Sequence, residues 1–349
     1  MPCAPEALAA AFSRQASHCA ALGSSLWAEA ATLIAEDILR AGAFFRILED
    51  WEGDPAQDNL PLRLLGGLHY VALAGLAPDL AARLPSTGGG PGMDLAPALL
   101  AAIAAKPDEI RGALAHPPQT NEVGRSAVLL GGFLEVAALS GLPLRLLELG
   151  ASAGLNLCWD RYAYRLGAFG WQQDREGLTL QADWRGPPPR LDALVAVASR
   201  AACDRRPIDL ADPEARLRLQ GYVWPDQVER LAALRGAMAI AREMGVHVER
   251  ADAVDWTGHR LARRTTGEAT VVYHSVVLQY LDRPARQRFV ELLEALGRQA
   301  TKDRPLAWLA FELNSGSEIF ELSLTYWPGG EQRRLAVAQA HGRWVEWLS

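Results

Sequence analysis

The stretch Leu144 to Tyr162, LRLLELGASAGLNLCWDRY, decides how the chain is read. LRLLEL has the composition of a buried strand ending on an acid, and GASAGLNL is expected to turn from that strand directly into a helix. At such a turn small residues let the backbone come close to a ligand, and the free N–H groups of a helix start favour an anionic group. The spacing is Glu148-x-Gly150-x-Ser152-x-Gly154. A dinucleotide fingerprint requires Gly-x-Gly-x-x-Gly, and Ser152 and Leu155 stand in its second and third glycine places, which disfavours NAD. No Gly-Lys-Ser/Thr follows, so the turn is not a P-loop. The remaining readings are a turn beneath a different cofactor and a tight strand-to-helix turn with no ligand.

Outward from this stretch, short β runs alternate with helical runs, the signature of an α/β domain with a mostly parallel sheet. The expected strands are LRLLEL, LVAVASRA, VHVERAD, ATVVYHS and LAWLAFEL. The expected helices include LNLCWDRYAYRL, PDQVERLAALRGAMAIAREM and RPARQRFVELLEAL. Two alternating runs, IFELSLTYW and RRLAVAQAHGRWVEWL, joined by PGGEQ, read as a closing antiparallel hairpin. Upstream, the pattern is helical as far as Ser140. SLWAEAATLIAEDILR puts Leu26, Ala30, Leu33, Ile34 and Ile38 on one stripe behind the caps Ser24 or Ser25. The Gly/Pro-rich segment Leu84 to Pro97 reads as a surface loop inside this half. The expected organisation is a helical region over 1–118 and an α/β domain over 119–349, with an inserted hairpin near 163–190.

Composition narrows the class. A chain of 349 residues, 50% hydrophobic, can bury at least one large core. A net charge of -6 makes non-specific attraction to a phosphate backbone unexpected, so nucleic acid is not the default partner. The arginines Arg200, Arg205, Arg206, Arg260, Arg263 and Arg264 have no interleaved aromatics and read as solvated. Cys3, Cys19, Cys158 and Cys203 form no C-x-x-C pair, which argues against a disulfide framework and against a metal site, and fits a reducing cytoplasm. MPCAPEALAAAF has no basic cluster ahead of its apolar run and does not read as a secretory signal. The most hydrophobic run, Leu64 to Ala77, is too short to span a bilayer and contains His69, so a buried helix is expected and no membrane partner.

The Glu148–Gly154 spacing resembles the first motif of class I methyltransferases that use S-adenosylmethionine. That resemblance implies a Rossmann-like domain in which the turn passes beneath the methionine part of the cofactor. Glu148, Gly150, Ala151, Ser152, Gly154 and Asn156 then line it, with the acid standing near the cofactor's amino group. It further implies an acid for the ribose hydroxyls, for which Asp204 is favoured over the rival Asp183. An adenine-recognition turn falls at Asp252 and Ala253, and His274 with Ser275 falls at the fourth strand end, beside the active site. Over the whole chain, QTNEVGR (Gln119 to Arg125), LELGASAGLNL with DRYAY, and VWPDQVER resemble the motifs of an uncharacterised bacterial family, domain of unknown function 2332. This second resemblance implies a helical region joined to a methyltransferase-like domain, and no substrate.

The polar head Gln119, Thr120, Asn121, Glu122 and Arg125 has two readings. Thr120 or Asn121 caps a helix starting near Glu122, or this segment covers the cofactor, with Arg125 pairing to a carboxylate. Trp224 either roofs a pocket or precedes a proline-opened helix start. His274 is a candidate general base or a structural hydrogen-bonding group, and Tyr280, Glu312 and Asn314, at or beyond strand ends, are candidates for acceptor handling. The functional expectation is a cytoplasmic S-adenosylmethionine-dependent methyltransferase acting on a small molecule or a protein side chain. The alternative is a methyltransferase-like binding or scaffolding protein.

Overall fold

The structure is a computed structural model describing residues 2–90, 94–314 and 319–349, so residues 91–93 of the Gly/Pro loop lie outside the described residues. The chain divides into two compact units: Met1–Thr120 with Asp212–Arg235, and Asn121–Ala211 with Gly236–Ser349. Asp212–Arg235 thus packs with the amino-terminal helices, although it follows in sequence a strand of the other unit.

The helical unit contains α1 (Pro5–Ala21), α2 (Ser25–Leu39), α3 (Ala43–Leu48), α4 (Leu60–Leu73), α5 (Pro78–Ala81), α6 (Leu95–Ala105) and α7 (Pro107–Leu114). Ser24 caps α2 by accepting from the Trp27 N–H, and Ala30, Ile34 and Ile38 of the expected stripe are buried, with Leu26 and Leu33 packed at its edge. The apolar run at Leu64 forms most of α4, and among the described residues no helix is long and apolar enough to cross a membrane. His69 is fully buried there. Its Nδ1–H donates to the Gly221 carbonyl at 3.2 Å and its Nε2 accepts from Ser86 Oγ at 2.8 Å, while burial pushes its pKa down to about 4.

The second unit is a mixed α/β structure around one 11-stranded sheet. Helix α8 (Arg125–Ser140) leads into β1 (Leu144–Leu149), followed by β2 (Ala163–Leu166), β3 (Phe169–Trp171), β4 (Thr179–Arg185) and β5 (Val197–Asp204). After α9 (Pro213–Gly221), which belongs to the helical unit, and α10 (Val228–Glu243) come β6 (Val248–Arg250), α11 (Ala253–Leu261), β7 (Ala269–Ser275), α12 (Arg283–Gly297) and β8 (Leu306–Leu313). The chain closes with β9 (Phe320–Trp327), β10 (Glu331–Ala338) and β11 (Trp344–Trp347). The strand order is β3-β2-β4-β11-β10-β9-β8-β7-β1-β5-β6. From β8 to β6 every pairing is parallel, and β8, β9, β10 and β11 form an antiparallel meander.

Two expectations are corrected here. LNLCWDRYAYRL is not a helix: a 3-10 coil over Asn156–Arg161 gives way to strand β2. The buried tyrosines explain the change, because Tyr162 donates its hydroxyl to the Leu155 carbonyl and Tyr164 to that of Trp159, each at 2.6 Å. The last run is also broken, at a turn where Gly342 takes φ +73° and the Gln339 side chain accepts from the His341 N–H at 2.7 Å. Its second half, β11, pairs in parallel with β4 and so joins the inserted strands to the main sheet.

The two sheet faces are covered differently. Helices α11 and α12 pack a cluster of Leu147, Val272, Phe289 and Leu306 on one face. On the other, Phe133 of α8 stacks on Trp159 at 4.4 Å and meets Tyr273 edge-on. A Cβ on Gly131 of α8 would lie 2.4 Å from the Trp347 ring, which is itself buried against Trp184. Gly131→Ala is therefore expected to destabilise by about 1–3 kcal/mol through overpacking, despite the better helix propensity of alanine. Gly112→Ala, whose Cβ meets open space in α7, is expected to stabilise by up to about 1 kcal/mol. Denaturant titration of the two variants checks the contrast, and an unchanged midpoint for Gly131→Ala would show that α8 does not lie this close to the sheet.

Candidate functional site

The parallel strands run β6-β5-β1-β7-β8, so the chain progresses one way across the sheet from β1 and the other way from β7. In open α/β sheets such a reversal leaves a crevice outside the carboxyl ends of the two central strands. Both loops there are conformationally unusual. Gly150 and Gly154 take φ +61° and +73°, and the non-glycine residues Ser152 and Val276 take +56° and +60°. A β-branched residue in the left-handed region is an outlier, and such strain clusters at functional sites. The loops also touch, since a Cβ on Gly150 would lie 2.6 Å from Val277 Cγ2.

The N–H groups of the turn are largely taken up within the protein. Ala151 N–H donates to the Cys203 carbonyl at 3.1 Å and Ser152 N–H to Asp204 Oδ2 at 2.9 Å. Asn121 Oδ1 accepts from both Ala153 and Leu155, at 3.2 and 3.0 Å. Asn156 donates its amide to the Glu122 carbonyl and accepts from Ser126 Oγ at 2.7 Å. Asn121 is thus not a cap of α8, whose cap position is Gly124 with no side-chain hydrogen bond. The expectation of a free helix start after the turn is corrected on both counts: the segment is a 3-10 coil, and its donors are occupied. Arg125 fastens strand ends, donating to the Ala340 and Ser275 carbonyls at 3.0 Å each.

The acids divide by the sheet face they meet. Glu148 is buried and accepts from the Tyr273 hydroxyl at 3.1 Å. Burial, with Asp204 nearby and against the Tyr273 hydrogen bond, pushes its pKa up to about 8, so it carries a proton at neutral pH and is not the anion expected beside a cofactor amine. Asp204 ends β5, next to β1, and its other oxygen accepts from Arg206 N–H at 2.7 Å. Asp183 lies on β4, separated from β1 by β11, β10, β9, β8 and β7, and pairs with Arg185 at 2.9 Å. Topology therefore brings Asp204, and not Asp183, to the switch. Asp252 caps α11 through the Val254 and Asp255 N–H groups and pairs with Arg205 at 3.2 Å, with Ala253 opening the helix.

His274 is fully buried with both ring nitrogens engaged. Its Nδ1 lies 2.6 Å from Glu312 Oε1, and its Nε2 lies 3.0 Å from Trp308 Nε1. An indole N–H only donates, so Nε2 is the acceptor, Nδ1 carries the proton, and the imidazole is neutral. Both ring nitrogens of His274 are thus engaged within the fold, the arrangement of a structural hydrogen-bonding group. Burial raises the Glu312 carboxyl, but the hydrogen bonds from His274 and from the Val277 and Leu278 N–H groups, at 2.8 and 3.3 Å, outweigh it and hold the group below its ordinary range. Trp308, His274 and Glu312 together hold the loop after β7 against the glycine turn. Tyr280 is 72% exposed on that loop, and Asn314 donates to Glu321 Oε1 at 2.7 Å.

Other expectations fall elsewhere. Gln119 and Trp224 belong to the helical unit, where Trp224 is buried in the core edge-on to His18. Of the arginines expected to be solvated, Arg205, Arg206 and Arg263 are exposed, but Arg200 and Arg260 are not free in water. Arg200 makes a bidentate pair with Asp160 at 2.9 and 2.8 Å, both side chains largely buried, and Arg260 pairs with Glu249 while stacking over Trp256. Ser152 Oγ is buried and, among the described residues, has no hydrogen-bond partner. Gly150-Ala151-Ser152-Ala153-Gly154 also has the Gly-x-Ser-x-Gly spacing of a serine nucleophile, but such a serine is activated by a bonded base, and no described group bonds this one. Among the described residues no group of three or more His, Cys, Asp or Glu side chains could hold a metal ion.

Fold and site together define a mixed α/β protein with a strained, closely fastened switch point in a largely parallel sheet. A family model described as an uncharacterised protein conserved in bacteria (DUF2332) matches residues 9–347, and the chain belongs to that family. No curated protein and no solved structure matches it.

The Glu148 environment sets a pH dependence. The carboxyl titrates near its ordinary 4.5 when unfolded and at about 8 when folded, so the folded chain holds an extra proton between those values and stability falls as pH rises through them. Glu148→Gln removes this component, so the variant's melting midpoint should gain on the wild type as pH rises toward about 8. Parallel midpoints for the two proteins would contradict a buried, protonated Glu148.

Proposed function

We propose that the α/β unit binds S-adenosylmethionine outside the carboxyl ends of β1, β5, β6 and β7 and directs its methyl group to a small-molecule or protein side-chain acceptor. One observation carries the reading. The glycine turn, Asp204, Asp252 with Ala253, and Ser275 stand at the carboxyl ends of four adjacent parallel strands around the switch. In open α/β sheets that is where ligands bind.

The residues present fit the cofactor in part. Ser152 Oγ is a buried polar atom in want of a partner, and each Asp204 carboxylate oxygen retains acceptor capacity for ribose hydroxyls. Asp252 is 38% exposed beside them, at the position expected to meet adenine. The turn's amides do not fit as expected, since Asn121 and Asp204 hold them, and a carboxylate of the ligand has to find other donors. When bound, the sulfonium supplies an already activated methyl group, so the protein's part is alignment and exclusion of water. Glu312, through the Val277 and Leu278 amides, and Arg125, through the Ser275 carbonyl, set the loop that would align the acceptor.

The occupied amides and the contact of Val277 with the Gly150 position favour a second reading, a methyltransferase-like binding or scaffolding protein. Calorimetric titration with S-adenosylmethionine and S-adenosylhomocysteine, with NAD as control, separates the two. The first reading expects the adenosyl ligands to bind in preference to NAD, and Asp204→Asn to weaken them about tenfold, the effect of one hydrogen bond to a charged group. Absence of binding by a folded wild-type chain would turn the assignment to the second reading.

A further inference from the structure

At the amino ends of β1, β7 and β8, the edge of the sheet opposite the switch, three guanidiniums gather. Arg145 of β1 donates to the Arg260 and Arg263 carbonyls at the end of α11, the first at 3.1 Å. Arg264 follows α11 and crosses to α12, where its Nη2 donates to the Leu296 carbonyl at 2.9 Å. Arg304, two residues before β8, reaches the Gln299 carbonyl at 3.5 Å. All three are half-buried, so Arg264 too departs from the solvated reading.

Arginines at helix C-termini are an ordinary way of meeting the last carbonyls, and this accounts for part of the cluster. It leaves the charge unexplained. Among the described residues no carboxylate forms an ion pair with Arg145, Arg264 or Arg304. Glu268 is near enough to act on Arg145, but it accepts from Thr265 Oγ1 at 2.8 Å. Asp303 accepts from Thr301 Oγ1, and Glu249 is paired with Arg260. Three guanidiniums against one carboxylate and two helix ends, each worth roughly half a negative charge, leave an excess of about one positive charge. Burial, with the Arg304 and Arg145 charges beside it, accordingly pushes the Arg264 pKa down.

Polar atoms are left over as well. Nε and Nη1 of Arg264 are buried with no hydrogen-bond partner among the described residues, and so is Oγ1 of the fully buried Thr270. Thr270 pairs with Arg145 on one side and Leu306 on the other, and the pleat puts it on the same face as Val272, which α11 and α12 cover. It lies between the strand that carries Arg145 and the strand that Arg304 precedes, on the face of the helices that Arg264 joins. Buried polar groups without partners point to a water or ion at the site, and an excess of positive charge selects an anion.

We infer that this edge of the sheet binds a phosphoryl group, held by Arg145, Arg264 and Arg304 with the Thr270 hydroxyl as a further donor. Guanidinium is the side-chain group best suited to such oxyanions. A tetrahedral oxyanion presents oxygens in several directions at once, matching donors that arrive from separate elements, as a planar carboxylate does not. The site lies at the far ends of the strands from the proposed cofactor site and does not depend on the methyl-transfer reading.

The test is calorimetric titration of the full chain with sodium phosphate and with methyl phosphate, against sodium chloride at matched ionic strength. The wild type should bind phosphate and not chloride. Arg264→Gln and Arg304→Gln should each weaken phosphate at least tenfold, and matched melting curves check that they are folded. Thr270→Val should weaken phosphate several-fold while its melting midpoint without phosphate stays level or rises, because valine removes an unpartnered buried hydroxyl. Tighter binding of methyl phosphate would assign the site to a phosphate monoester, and tighter binding of inorganic phosphate to the free ion. No phosphate binding by the wild type, or binding that Arg304→Gln and Thr270→Val leave unchanged, overturns the inference and leaves the arginines as helix caps alone.

Discussion

The carboxamide of Asn121 holds the turn after β1 in place, and the arrangement around the switch depends on it. One oxygen accepts the amides of Ala153 and Leu155, while Asp204 takes that of Ser152 from the neighbouring strand end. A buried amide left without a partner costs on the order of 1–3 kcal/mol, so these side chains permit a turn with Ser152 in the left-handed region to persist without an α-helix behind it. The 3-10 coil that follows is then fixed by tyrosine hydroxyls on its carbonyls and by the Asp160–Arg200 pair.

The facing loop is held in a parallel way. Val276 takes its strained conformation while its N–H donates to the Phe311 carbonyl at 2.8 Å, and Glu312 gathers the next two amides. The Trp308–His274–Glu312 chain of hydrogen bonds fixes the direction of every proton in it, because the indole can only donate. Two strained loops in contact, each held by carboxylate or carboxamide from a neighbouring element, form a preorganised surface. That supports a ligand site more than a merely structural turn, since strain of this kind persists only where the surroundings impose it.

The sheet was legible where strands were buried on both faces. ATVVYHS and LAWLAFEL are β7 and β8 to the residue, since continuous apolar runs bounded by turns have few other solutions. LNLCWDRYAYRL misled because its helical apolar spacing is indistinguishable from aromatic residues packing inward from a coil and then a strand; the side-chain hydroxyls that decide the matter act over short tertiary geometry. Asn121 was visible as a polar residue before an apolar helix, but its partners lie more than 30 positions downstream, so local capping logic gave it the wrong donors. His274 was found as a strand-end residue, and its confinement was not, because Trp308 and Glu312 come from a strand that pairs with β7 only in the folded sheet. Between Asp204 and Asp183 spacing alone left the choice open, and strand order places Asp204, and not Asp183, beside the switch.

Amide hydrogen exchange with and without S-adenosylhomocysteine tests the central claim most directly, because it reads the proposed site residue by residue. The account predicts that saturating ligand slows exchange at Gly150 to Asn156, at Asp204 to Arg206 and at Ser275 to Leu278, the loops gathered at the switch. Unchanged exchange at all three, or protection confined to other parts of the chain, would contradict a ligand site at the carboxyl ends of these strands.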